Sequence, residues 1–330
     1  MKFPSVARIL AGALSSLALL ATAGVSFAQG SQFPQHAVKL VVPFSPGGSG
    51  DVVGRLLADK LSGVWGQPVV VENRPGGSTL IGTGQVARAA PDGYTIGLIS
   101  AGLSVQPSIR KSMPFDPLKD LEYVTQIMES PFVLTVNATL PVKSAKELLE
   151  YAKANPGKLN YGSFGIGSTP HILGEILAQY AAVPMVNVPF KGSSESTQAH
   201  LRGDIQINFD VVTTTLPHIR QGTLRPILIT SARRSADLPD TPTAAEAGMP
   251  DLELPTWFGI VAPRGVPPDV MQRLNAGFTQ VLKMPDVQDV LAKQGMTVVA
   301  STPEAFRTFM ASAMQRVDKV VTAAKIPKSD

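Results

Sequence analysis

Short apolar runs, each ending in a glycine or proline loop and followed by a stretch with helical spacing, set the rhythm of this chain. Residues 37–44 (AVKLVVPF) are rich in β-branched side chains and predict a buried strand. The loop Ser45-Pro46-Gly47-Gly48-Ser49-Gly50 follows, then a helix over residues 51–64 with Val53, Leu56, Leu57 and Leu61 on one face. Residues 68–72 (PVVVE) predict a second strand, 73–78 a second glycine loop, 81–90 a helix and 95–100 (TIGLIS) a third strand. The alternation argues for an α/β fold with a parallel, doubly wound sheet.

The rhythm then restarts. Strands are predicted over 132–136, 160–163, 185–189, 205–209 and 224–230, and helices over 145–154 and 170–182, with a helix end over 197–203. Residues 257–262 (WFGIVA) resemble the strands of the first unit, and helices over 268–284, 286–294 and 303–323 finish the chain. If the tail rejoins the first unit, the chain crosses twice between two α/β lobes, near 130–135 and near 252–258. Two crossings make a hinge, and a hinge between lobes makes a cleft. The expected division is 29–130 with 256–330 as lobe 1 and 131–255 as lobe 2.

Residues 1–28 have the three parts of an export signal. Lys2 and Arg8 form a basic head, 9–23 is an uncharged apolar run, and Ser26-Phe27-Ala28 supplies small residues for cleavage after Ala28. The apolar run is short for a membrane anchor, which needs roughly 20 residues. The expected location is therefore the periplasm. The chain has no cysteine, which excludes disulfides, thiolate metal sites, a cysteine nucleophile and a lipid-modified N-terminal cysteine.

Of 29 basic residues, Lys2 and Arg8 go with the leader, leaving 27 against 25 acidic ones and a net charge of about +2. No basic cluster interleaved with aromatics marks a nucleic-acid partner. The first glycine loop invites comparison with a dinucleotide fingerprint, because Gly48-Ser49-Gly50 opens a helix and Glu72 lies about twenty residues on. The third glycine is displaced, however, with Val53 in its place and Gly54 after it, and two prolines interrupt the turn. No G-x-S-x-G stretch or H-x-x-x-H spacing occurs, and His171, His200 and His218 lack an acidic partner nearby in sequence. Neither a cofactor, nor a metal, nor an enzymatic activity is expected. An exported enzyme or a sensor partner acting on an organic acid is the alternative.

What the sequence offers instead is two loops of one design. A glycine loop at the carboxyl end of a strand exposes backbone N–H groups, and the helix start behind it adds about half a positive charge. The second such loop is Tyr161-Gly162-Ser163-Phe164-Gly165-Ile166-Gly167-Ser168-Thr169-Pro170-His171, in which Ser168 or Thr169 suits a helix cap and Pro170 the first turn. One loop in each lobe could grip two ends of a dianion. Asp51 and Asp210, which follow or end strands, are expected to point toward the cleft, and Lys191 is the main basic side chain near the loops.

Several longer segments then point to a family. They include Val41-Val42-Pro43-Phe44-Ser45-Pro46-Gly47-Gly48, Val71-Glu72-Asn73-Arg74-Pro75-Gly76, Ala90-Pro91-Asp92-Gly93-Tyr94-Thr95 and Val188-Pro189-Phe190-Lys191-Gly192, together with Pro239-Asp240-Thr241-Pro242-Thr243 and Val261-Ala262-Pro263. Through these the chain resembles the periplasmic substrate-binding receptors of tripartite tricarboxylate transporters, the Bug or TctC family. The resemblance implies two Rossmann-like lobes joined by two crossing strands, in the manner of a Venus flytrap. It implies a small organic carboxylate as ligand, two membrane transporter subunits as partners and a monomeric receptor. Ligand contacts would fall on Phe44, Ser45, Gly47, Gly48, Ser49, Asp51, Ser78, Thr79 and Ala101 of lobe 1. On lobe 2 they would fall on Ser163, Phe164, Gly165, Gly167, Ser168, Thr169, His171, Lys191 and Asp210. Phe164 and Ile166 stand where the family often has small or polar residues. That departure favours a ligand with an apolar body, such as an aromatic mono- or dicarboxylate, over citrate.

Overall fold

The structure is a computed structural model and describes residues 33–190, 192–323, 325, 326 and 328. The leader expected over 1–28 and the candidate ligand residue Lys191 lie outside the described residues. In chain order the first elements are β1 (Val38–Val42), α1 (Ser49–Trp65), β2 (Val69–Asn73), α2 (Leu80–Ala87), β3 (Thr95–Ser100), α3 (Gly102–Ile109) and β4 (Leu121–Ser130). Then come β5 (Phe132–Asn137), α4 (Ala145–Ala154), β6 (Asn160–Ser163), α5 (Thr169–Ala181), β7 (Val186–Pro189), α6 (Ser193–Arg202), β8 (Ile207–Val211), α7 (Val212–Arg220) and β9 (Leu224–Ile229). The chain closes with β10 (Thr256–Pro263), α8 (Pro268–Leu282), α9 (Pro285–Lys293), β11 (Thr297–Val298) and α10 (Pro303–Ala323).

These strands form two sheets, ordered β11-β4-β10-β3-β1-β2 and β7-β6-β8-β5-β9. The fold is α/β with two lobes, but neither sheet is purely parallel as the alternation predicted. β10 runs antiparallel to β3 and β4, and β5 runs antiparallel to β8 and β9. The crossings account for this. β4 runs to the shared edge and passes through Pro131 straight into β5, so β5 must start there and run away from it. β10 arrives from the other sheet, with Thr256 opposite Ser130, and runs away in the same sense. The remaining parallel strands, β1 to β3 and β6 to β8, therefore all aim their carboxyl ends at the edge between the lobes. In open α/β sheets that is the ligand edge.

Four elements escaped the sequence pattern: β4, α3, α7 and the two-residue β11. β4 buries Thr125 and Gln126, which breaks an apolar run, and α3 and α7 carry Pro107 and Pro217. Tertiary burial outweighs propensity at these three.

The core of the first sheet includes Val41, Ile99, Trp257 and Val261 packed on Phe306 and Met310 of α10. The second sheet turns Leu134, Tyr161, Ile207 and Phe209 toward Ile172, Leu173 and Ile176 of α5. Each such side chain contributes about 1.5–3 kcal/mol when fully buried. The far end of α10 changes sides: Val317, Val320 and Val321 belong to the second sheet's cluster, as do Val105 and Ile109 of α3. One helix thus has its two ends in two cores.

Candidate functional site

The loop after β1 is held from within. Asp51, in the first turn of α1, is only 3% exposed. Its Oδ2 accepts from Gly47 N at 2.9 Å and Arg55 Nε at 3.0 Å, and its Oδ1 accepts from Asn73 Nδ2 at 2.8 Å. Asn73 Nδ2 also donates to the Phe44 carbonyl at 3.1 Å, and Arg55 Nη2 donates to Asn73 Oδ1 at 2.9 Å. The Arg55 hydrogen bond, helped by those from Gly47 and Asn73, overrides burial and holds the Asp51 carboxyl at about 2. The expectation that Asp51 points outward is corrected here: both oxygens face donors of their own lobe.

This clamp fixes a surface of exposed backbone formed by Ser45, Gly47, Gly48 and Ser49. Gly47 has φ +85°, where a glycine is needed. Gly48 caps α1 in extended geometry without a side-chain cap, so the first-turn N–H groups are left for an outside acceptor. Phe44 lies across the start of α1, edge-on to Phe258 with 5.6 Å between centroids. Gly50 makes room for it, since a Cβ there would stand 2.3 Å from the Phe44 ring.

Beside this loop, Gly76, Gly77, Ser78 and Thr79 have successive φ values of +118°, +57°, +55° and +77°. A non-glycine residue held in that region costs on the order of 1–2 kcal/mol. Thr79 also keeps its Oγ1 buried without a hydrogen-bond partner. Ala101 is buried, and its N–H donates to the Trp257 carbonyl at 3.1 Å. Its backbone donor is therefore committed within lobe 1.

The loop after β6 has the same plan with different parts. Gly165 and Gly167 have φ +101° and +80°. Ser168 caps α5 in extended geometry; its hydroxyl accepts from Phe164 N at 3.2 Å and donates to the Gly165 carbonyl at 2.8 Å, closing the loop on itself. No side-chain cap reaches the α5 amides that begin at Thr169. His171, one turn in, accepts from Gly167 N through Nδ1 at 3.2 Å, which places the ring proton on Nε2, 3.8 Å from Glu175 Oε1. Burial pushes the His171 ring below its usual range, so it is neutral at pH 7 and braces the loop. Ser163, at the end of β6, is fully buried and its Oγ has no partner.

Asp210 is fully buried. It accepts from Ser193 Oγ at 2.8 and 2.7 Å, Thr197 Oγ1 at 3.0 Å and Val211 N at 2.8 Å. Burial raises its carboxyl above the usual range against these donors. It too turns inward, tying the start of α6 to β8, and the outward orientation expected for it is likewise corrected. Sequence reasoning missed Arg55, Asn73, Glu175, Ser193, Thr197 and Phe258. Arg55 and Glu175 stand four residues after Asp51 and His171, a spacing that brings side chains together on a helix, so the reading of His171 as lacking a nearby acidic partner is corrected. Phe258 is over two hundred residues from Phe44, and no local signal links them.

Two grooves lie elsewhere. One, about 400 Å³, runs between α5 and α10 past Ile176, Tyr180, Asp251 and Arg316; the other, about 540 Å³, lies at the start of α4 beside Lys143, Ser144 and Arg225. In the second, Arg225 already donates to the Leu140, Val142 and Ala138 carbonyls and Ser144 accepts from Glu147 N, so these two groups serve the fold. Among the described residues no cluster of His, Asp and Glu could hold a metal ion. No helix among them is long and apolar enough to cross a membrane.

A family profile described as "Tripartite tricarboxylate transporter family receptor" matches residues 53–326. The chain belongs to that family. Protein BugT of Bordetella pertussis is 37% identical over 312 residues, 93% of this chain and 96% of that protein. Among solved structures, the periplasmic binding protein BugD is 33% identical with TM-score 0.72, covering 90% of this chain and 100% of the other. Rpa4515 of R. palustris, solved with adipate, is 32% identical with TM-score 0.74 over 90% and 100% of the two chains. MatC of Rhodopseudomonas palustris, solved with bound malate, is 30% identical with TM-score 0.71 over 88% and 100%. The family and fold are those of solute-binding receptors.

Proposed function

We propose that the chain is an exported receptor that captures a small carboxylate between the loop at residues 44–49 and the loop at 163–169. One paired observation carries this reading. Each loop opens a helix that has no side-chain cap, and beside each a buried hydroxyl, Thr79 Oγ1 or Ser163 Oγ, is left without a partner. Buried polar groups are nearly always satisfied, so an orphan on each side argues for an acceptor or an ordered water between them. Uncapped amides and hydroxyls recognise a carboxylate without needing a lysine or arginine. The Asp51 and Asp210 carboxylates take the role of positioning groups that hold the loops in shape.

The lobes are residues 29–130 with 256–330, and 131–255. The leader directs the chain to the periplasm with cleavage after Ala28, and the receptor acts as a monomer that delivers its solute to a two-component membrane transporter. The structures of relatives with adipate and with malate support a dicarboxylate. Phe44, backed edge-on by Phe258, and the half-buried Phe164 in the opposite loop support a ligand with an apolar or aromatic body.

A thermal-shift panel of adipate, malate, benzoate and terephthalate tests the reading. A ligand at 100 times its Kd adds about 2.7 kcal/mol of stability. Silence across all four acids would defeat carboxylate capture. Shifts with adipate and malate alone would keep the receptor and discard the aromatic ligand, while turnover of any bound acid would favour an enzyme.

A further inference from the structure

The lobes meet at a point that neither crossing strand explains. Gly167 sits in the second lobe's loop, is buried, and has φ +80°. A Cβ built on it would stand 2.2 Å from Ile109 Cδ1 and 3.8 Å from Val105 Cγ1. Both neighbours belong to α3, which follows β3 of the first sheet. Ile109 is only 4% exposed and is counted in the second sheet's apolar cluster, so it reaches out of its own lobe and is enclosed there. Gly165, two residues earlier, also has a left-handed φ, but nothing stands within 4 Å of its Cβ position. Gly165 answers to backbone conformation alone; Gly167 answers also to the isoleucine seated on it. The loop cannot retreat freely, because the Gly167 N–H is bonded to His171 Nδ1.

We infer that Ile109 is a positioning residue for lobe closure: it seats on Gly167 and holds the second lobe's ligand loop against the first lobe. It touches no ligand. The inference rests on the proposed cleft, of which it is a regulator, and it makes the contact between isoleucine and glycine a latch that separates when the lobes open. The attraction of two apolar groups in this seam is lost on opening, so its strength biases the population of closed receptor. Adding bulk at Gly167 opposes closure, and removing bulk at Ile109 gives that bulk room.

The test reads lobe separation without any ligand. The chain has no cysteine, so Val70→Cys and Val186→Cys introduce one label per lobe, on outer strands where the parent residues are 53% and 56% exposed. Spin-label or fluorescence distances are measured in four backgrounds: the parent, Ile109→Ala, Gly167→Ala and the double variant. The expected result is a longer mean separation in each single variant and a return toward the parent distance when Ile109→Ala is added to Gly167→Ala. Gly167→Ala should weaken adipate binding roughly tenfold, about 1.4 kcal/mol, with partial recovery in the double variant. Unchanged distances in both single variants, with only a lower melting temperature, would make the seam a fixed pivot and overturn the inference. A double variant as open as Gly167→Ala would also overturn it. If Gly167→Ala fails to fold, Ile109→Val, which removes only the Cδ1 methyl, must still lengthen the separation. Absence of adipate binding by the parent would count against the proposed ligand, while the ligand-free distances would still decide the latch.

Discussion

Replacing Asp51 with asparagine probes the clamp under the first loop. In the protein Asp51 Oδ2 accepts from Gly47 N and Arg55 Nε, and Oδ1 accepts from Asn73 Nδ2. Asparagine keeps one oxygen and puts an amide donor where the second stood, so one side of the clamp sets donor against donor. The shift of the carboxyl from 3.8 to about 2 sets an upper limit of about 2 kcal/mol. Arg55 is 55% exposed, so solvent screens its share and reduces the charge-dependent part to about 1 kcal/mol. Because the folded-state value is depressed, this stability is fully present above pH 3.8 and disappears as pH falls through about 2. Urea unfolding of the parent and Asp51→Asn should therefore differ by at least about 1 kcal/mol at pH 7, with a melting shift on the order of 2–4 °C. The gap should narrow between pH 4 and pH 2. A gap that stays constant across that range would show that the charge of Asp51 does not hold the loop, and the electrostatic account of the clamp would be wrong.

Four further predictions concern the site. Gly48→Leu should keep the fold, because a Cβ there meets only the Ser45 carbonyl at 3.6 Å, and should abolish carboxylate binding by titration calorimetry. Gly165→Leu should do the same but also cost on the order of 1–2 kcal/mol in denaturant unfolding, since φ is +101°. Ser163→Ala removes an orphaned hydroxyl, so stability should hold or rise while affinity falls several-fold; unchanged affinity would separate Ser163 from the ligand. Gly50→Ala should displace the Phe44 ring and weaken aromatic acids more than malate in competition binding, because its Cβ would stand 2.3 Å from that ring.

Much of this architecture is legible along the chain because strand, glycine loop and helix follow one another locally. The apolar run at β1, the loop after it and the helix spacing of Val53, Leu57 and Leu61 all lie within thirty residues. The second loop is legible for the same reason: Ser168, Pro170 and two glycines mark a helix start wherever they occur together. Less legible were the elements whose sequence contradicts their state. β4 buries Thr125 and Gln126, and α7 forms through three successive threonines and Pro217. β10, the partner of β4, is distant in sequence, and α7 clusters its Val212 with Val133 of β5, so the burial that stabilises them leaves no periodic trace.

The orientation of the acids shows the same division. A carboxylate near a strand end looks alike in sequence whether it faces a ligand or its own loop. Arg55 and Asn73 decide the matter for Asp51, and Ser193 and Thr197 decide it for Asp210. Local order determined the α/β character, the two loops and the helix starts behind them, because hydrogen bonding and side-chain periodicity act over a few residues. Only the tertiary structure determined the antiparallel sense of β5 and β10, the inward turn of both aspartates and the seat of Ile109 on Gly167. Those depend on which distant segments share space, and chain crossings and packing decide that without any local pattern.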